Sequence, residues 1–227
     1  MLFKSSVFRQ VPNGRLVFHN DWAPERTSDQ MVSWTWRQFL KNPEKPELLC
    51  WFPMTKATLR AMDMTEEVVK ERLGNTITSW SVSGGSKRGW TTWLVAAVDP
   101  ERVKFQAPIV CDFLNFSKTI HRWLRNLGGI QIAQIGYWLD QVHEYIDEPH
   151  FADFADPIIY KDRMTMPKMI ISGLWIFLIS CRFHLKFYSQ NIFGHNFHFC
   201  VKKFLLIFLF LAHIFNDDFN LYFRTGF

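Results

Sequence analysis

Ser81-Val82-Ser83-Gly84-Gly85-Ser86-Lys87-Arg88-Gly89-Trp90-Thr91-Thr92-Trp93 decides how the rest of this chain is read. Before it, Asn75 to Ser83 is rich in β-branched and aromatic residues, with Trp80 and Val82 alternating, and predicts a short strand. After it, Trp90 to Val98 is apolar without a breaker, and Asp99-Pro100 closes it as a helix end. A strand that turns at once into a helix needs small residues, because no side chain fits inside so tight a bend. Gly84 and Gly85 are expected to supply that freedom. Ser86 then stands at the apex, clear of the sheet and close to the helix N-terminus. Backbone N–H groups and the positive end of the helix dipole converge there, a setting suited to an oxyanion.

This is the pattern of a nucleophile elbow, in which a serine on a sharp strand-to-helix turn attacks an acyl carbon. The sequence departs from the usual G-x-S-x-G, because Arg88 stands two residues after Ser86 and the glycine comes only at Gly89. The competing reading is a Gly-rich strand end in which Ser86 caps the helix through its side chain. Lys87, at the helix N-terminus, is read either as a charge that assists an oxyanion or as an ordinary solvated lysine. Arg88 and Trp90 are expected to brace the helix.

Gly84-Gly85-Ser86-Lys87-Arg88-Gly89-Trp90-Thr91-Thr92-Trp93, with Ala96-Ala97-Val98-Asp99-Pro100, closely resembles the PhoPQ-activated pathogenicity-related family. Other blocks agree in the same order: Val11-Pro12-Asn13, Thr35-Trp36-Arg37, Pro53-Met54-Thr55-Lys56-Ala57, Asp112-Phe113-Leu114-Asn115-Phe116, Asp156-Pro157 and Asp162-Arg163-Met164-Thr165-Met166-Pro167-Lys168. The likeness covers residues 8–172. Eukaryotic members are called autocrine proliferation repressor-like, and the family is placed in the α/β-hydrolase superfamily. The resemblance therefore implies an α/β fold, a parallel sheet flanked by helices, and a serine hydrolase acting on a small ester or peptide. It also makes residues 113–165 a candidate helical lid inserted between two strands.

Reading along the chain agrees with parallel βα units. Arg15 to Phe18 predicts a short strand. Thr27-Ser28-Asp29 signals a helix start, with Met31, Trp34, Phe39 and Leu40 as its stripe up to Asn42-Pro43. A second helix is expected over 55–73, with Met62, Val68, Val69 and Leu73 apolar and Gly74 as its cap. Val103 to Val110 and Met166 to Ser172 predict further strands, and 113–156 looks helical.

Beyond Ser172 the resemblance stops. Nine of the ten Trp precede residue 173, whereas 13 of the 23 Phe follow it. Residues 173–227 hold no Pro and only two acids, Asp217 and Asp218, and show no clear period of 2 or 3.6 residues. They are expected to be a Phe-rich tail unrelated to the 8–172 domain, such as a retained intron, so that the hydrolase's C-terminal strands are missing or replaced. The alternative is a variant segment that packs on the core. The apolar run Phe204 to Phe215 is about 18 Å long as a helix, short of the ~30 Å hydrocarbon core. Contact with a membrane surface is compatible with it; a span is not expected.

Acyl transfer needs a base for Ser86 and a carboxylate to orient that base, in the chain order Ser, acid, His. The resemblance places both in the segment that has been replaced. Asp112, directly after the strand that follows the elbow helix, is the substitute acid, or else a loop cap. His121, His143 and His150, and in the tail His195, His198 and His213, are the available imidazoles, none in a recognisable catalytic loop. The chain as written is thus expected to be inactive or nearly so. The alternatives are a non-catalytic signalling or binding protein and a product that does not fold stably.

The net charge of +5 lacks a long basic run, so a nucleic-acid partner is not expected. Cys50, Cys111, Cys181 and Cys200 form no C-x-x-C pair, and Cys111 reads as a buried thiol. His195, His198 and Cys200 have only a faint metal-like spacing, so no metal or cofactor is expected. The family's relatives are often secreted, yet Met1 to Ser6 shows no signal-peptide pattern.

Overall fold

The computed structural model describes residues 4–8, 15–26, 28–109, 111, 114–127, 140–173, 183–188, 197–201 and 221–226. They divide between two compact units, one of residues 1–9, 57–112 and 160–227, the other of residues 10–56 and 113–159.

The first unit is built on three parallel strands. In β2 (Ser79–Gly85) Trp80, Val82 and Gly84 are buried and the residues between them are half-buried, as the alternation in the sequence requires. Helix α3 (Lys87–Val98) returns the chain to β3 (Val103–Ile109), which pairs parallel to β2 with Val82 opposite Gln106 and Gly85 opposite Ile109. β4 (Lys168–Gly173) pairs parallel to β3 in turn, with Ile109 opposite Ile171. Every residue of α3 from Lys87 to Ala97 is buried. A helix so enclosed has no wet face, which is why its sequence lacks helical amphipathicity. It ends as expected at Asp99, whose N–H donates to the Val95 carbonyl at 2.9 Å.

α2 (Trp51–Leu73) starts four residues before the expected Thr55. Pro53 does not prevent this, because in the first helical turn its missing N–H has no intrahelical acceptor to lose. Gly74 caps the helix at φ +64° and donates to the Lys70 carbonyl at 3.1 Å. Of the expected apolar side, Met62 and Val69 are buried, but Val68 and Leu73 are exposed. Part of α2 also joins the sheet through polar groups. Arg102 reaches Asp63 at 2.8 Å, Glu66 at 3.1 Å and Asp99 at 2.6 Å, and the Trp80 indole N–H donates to Glu66 at 2.7 Å.

The sheet continues beyond these three strands, and all the additions are antiparallel. Its order is β1-β7-β2-β3-β4-β5-β6. β5 (Phe183–Tyr188) pairs with β4, β6 (Phe197–Val201) with β5, and β7 (Leu221–Gly226) lies between β2 and β1 (Lys4–Phe8). Residues 173–227 therefore contribute strands where the sequence shows no period, and the parallel run stops at β4.

The second unit is centred on aromatic rings. α1 (Ser28–Lys41) buries Met31, Val32, Trp36 and Phe39, while Trp34 and Leu40 of the expected stripe are half-buried. Trp36 stacks on Phe151 at 4.7 Å between centroids, meets Phe116 edge-on at 5.0 Å, and donates its indole N–H to the Phe151 carbonyl at 3.1 Å. The strand expected at 15–18 is reduced to a single bridge between Leu16 and Arg26. What holds that bridge is charge rather than a ladder. The buried Arg26 guanidinium pairs with Asp21 and, at 2.8 Å, with Asp140, which also accepts the Ser33 hydroxyl at 2.6 Å.

The helical reading of 113–156 holds for only part of the segment. α4 (Phe116–Leu127) is followed, where the chain is next described, by a short 3-10 turn at Val142–Tyr145. Tyr137, Trp138 and Leu139 lie outside the described residues. Residues 113–159 share their compact unit with residues 10–56.

Candidate active site around Ser86

Ser86 joins the last residue of β2 to the first of α3, and its backbone lies at φ 53°, ψ −123°. Residues with a Cβ avoid this region, and holding one there costs of order 1–3 kcal/mol. The strained conformation falls on the serine rather than on a glycine, since neither Gly84 nor Gly85 has a positive φ. The freedom expected of the two glycines is thus not what the turn uses.

Gly84 is needed for space. A Cβ added there would lie 2.7 Å from both Cβ and the carbonyl oxygen of Arg88. Arg88 occupies the position that holds glycine in G-x-S-x-G, and it fits because Gly84 leaves room for it. The second close approach moves one residue on, to Gly89. A Cβ at Gly89 would meet Cys111 Cβ at 2.7 Å and the Ile109 carbonyl oxygen at 2.9 Å. The departure from the usual spacing therefore has a steric basis: α3 lies against the end of β3 at Gly89.

Three further bonds fix the turn. The Ser86 N–H donates to the Ile109 carbonyl at 2.8 Å, the Ser86 carbonyl accepts from Trp90 N–H at 3.0 Å, and the Trp93 indole donates to the Cys111 carbonyl at 3.1 Å. Trp93 and Cys111 were not singled out as site residues from sequence; the only signal for them was the aromatic run after Gly89. The Ser86 side chain makes no capping hydrogen bond to the helix. The side-chain cap reading is therefore not what the structure adopts. Lys87 is 3% exposed and Arg88 1%, so the solvated reading of Lys87 fails.

The candidate acid and bases are distributed over both units and over residues outside those described. Asp112, the substitute acid, lies outside the described residues, as do His195 and His213; His198 is described only as part of β6. His121 pairs with Asp147 at 2.7 Å and His150 with Asp153 at 2.8 Å, all in the other unit. Val142 and Ile146, which flank His143 in sequence, are buried there too. Among the described residues no histidine or carboxylate bonds the Ser86 hydroxyl, and no cluster of three metal-ligating side chains occurs. Nor, among them, is any helix long and apolar enough to cross a membrane.

A mixed α/β unit with a serine on a strained strand-to-helix turn is the class this arrangement defines. The sequence profile of the family described as "PhoPQ-activated pathogenicity-related protein" matches residues 4–175, and the chain belongs to that family. It is 38% identical over 167 residues to "Autocrine proliferation repressor protein A" of Dictyostelium discoideum. The aligned part is 72% of this chain and 33% of that protein, so the chain spans about a third of its relative's length. No solved structure matches the chain.

Proposed function

We propose that the Ser86 turn is a nucleophile elbow and that this chain carries the nucleophile portion of a serine-hydrolase site directed at a small ester or peptide. The observation that carries the proposal is the φ 53°, ψ −123° conformation of Ser86 between β2 and α3, with its hydroxyl not engaged as a helix cap. In this reading Ser86 Oγ attacks the acyl carbon, and the Lys87 backbone N–H, first in α3, donates to the oxygen that becomes negative. Gly84 and Gly85 belong to the elbow as the strand residues before Ser86, with Gly84 leaving room for Arg88 of the helix. The attacking hydroxyl must lose its proton to a base, and an acid must orient that base. Asp112 remains the proposed acid, and no base is assigned. The chain as it stands is therefore proposed to be nearly inactive, with the hydrolase's later strands replaced by residues 173–227.

A fluorophosphonate probe tests the elbow. It is expected to attach slowly and to map by mass spectrometry to Ser86, with no adduct in Ser86→Ala. Attachment at another residue would overturn the assignment.

The name of the 38% identical relative favours a second reading, a non-catalytic signalling protein that represses proliferation. In that case Ser86→Ala leaves a proliferation-repressing effect on cells unchanged; if Ser86 chemistry underlies the effect, the variant abolishes it.

A further inference from the structure

Asn115-Phe116-Ser117 is the only place in the 227 residues where an asparagine stands two positions before Ser or Thr with a residue other than Pro between. Ordinarily an asparagine just before a helix spends its side chain on the cap, bonding one of the first backbone N–H groups. At α4 that task is taken by another residue. The buried Asp156 carboxylate accepts the Phe116 N–H at 2.6 Å, the Asn115 N–H at 3.2 Å and the Ile158 N–H at 3.0 Å. Asn115 itself sits at φ 60°, a left-handed turn that asparagine tolerates better than most residues.

With the cap supplied by Asp156, neither the Asn115 carboxamide nor the Ser117 hydroxyl makes a hydrogen bond among the described residues. Both residues are half-buried, leaving part of each to solvent, while Phe116 between them is buried against Trp36 and Phe151. The middle residue thus holds the turn, and the two groups that recognition would need make no bond to any other described residue.

We propose that Asn115 is the acceptor of an N-linked oligosaccharide when this chain enters the lumen of the endoplasmic reticulum. The donor class is a lipid-linked oligosaccharide pyrophosphate. The Asn115 Nδ2 forms a bond to C1 of the reducing-end sugar, the bond from C1 to the pyrophosphate oxygen breaks, and the amide proton passes to a base of the transferase. The Ser117 hydroxyl is the recognition element two residues on. The inference is independent of the Ser86 site.

The full chain, fused behind a cleavable signal sequence and translated in the presence of microsomes, tests it. The protease-protected chain is expected to show one upward mobility shift that endoglycosidase H removes. The shift disappears in Asn115→Gln and in Ser117→Ala and persists in Ser117→Thr. Because transfer precedes folding, a variant that folds poorly still reports on the acceptor. A protease-protected chain without the shift, or a shift that survives Asn115→Gln, would overturn the proposal.

Discussion

At the scale of single residues, the strain at Ser86 makes a prediction that does not depend on activity. Glycine adopts φ 53°, ψ −123° without a steric penalty, so Ser86→Gly is expected to stabilise the protein by about 1 kcal/mol, read as a higher urea midpoint at unchanged m-value. An unchanged or lower midpoint would mean that the turn is not strained. Gly89→Ala should act in the opposite sense. Its methyl would have to displace Cys111 and the Ile109 backbone, a cost of about 1–3 kcal/mol. Titration follows from three carboxyls that are paired or buried. The hydrogen bond from Arg26 holds Asp21 below the ordinary value of 3.8 against its burial. Burial pushes Asp63 up, but the bonds from Arg102 and Arg60 outweigh it and leave it lowered too. Both therefore contribute stability above pH 3.8 that is lost as pH falls through their folded values. Asp156 runs the other way: burial raises it despite three backbone N–H bonds. Its contribution is fully present below 3.8 and is lost as pH rises through its folded value. Melting temperature against pH in Asp21→Asn should accordingly lose part of the acid-side slope.

At the scale of elements, Asp156 caps α4 from forty residues away in sequence. Asp156→Ala is expected to cost about 0.5–2 kcal/mol and to speed amide exchange first at residues 116–119. Exchange unchanged there would show that the cap is not needed. How much of the architecture was legible follows from what kind of force made each element. β2, α3, β3 and β4 were readable because alternation, an unbroken apolar run and an Asp-Pro stop are local signals. The 15–18 strand was misread because Leu16 and Arg26 are held by a buried ion cluster whose second acid, Asp140, is remote in sequence. α2 starts before the expected 55–73 because its first turn accepts Pro53. The glycines of the turn were given a conformational role when Gly84 has a steric one, and Gly89 was missed as a packing residue because its contact, Cys111, lies past the end of β3, 22 residues on. Sequence spacing can show that a turn is tight; it cannot show which backbone comes close.

At the scale of the whole molecule, three parallel strands carry the candidate site and four antiparallel strands extend the sheet. The tail strands β5, β6 and β7 come from a segment with only two acids, no Pro and no clear period. If that segment replaces hydrolase strands without restoring their stability, limited proteolysis should cut within 173–227 first and leave a resistant fragment of about residues 8–172. Equal protection of both parts would contradict this. Hydrolysis of a generic ester by the purified chain and by Ser86→Ala tests most directly the proposal that Ser86 is a nucleophile to which this chain supplies no working base. Loss of a triad member removes several powers of ten in rate, so turnover barely above the uncatalysed reaction is expected, with at most a trace that depends on Ser86. Robust turnover that vanishes in Ser86→Ala would contradict it, because a histidine of this chain would then be serving as the base.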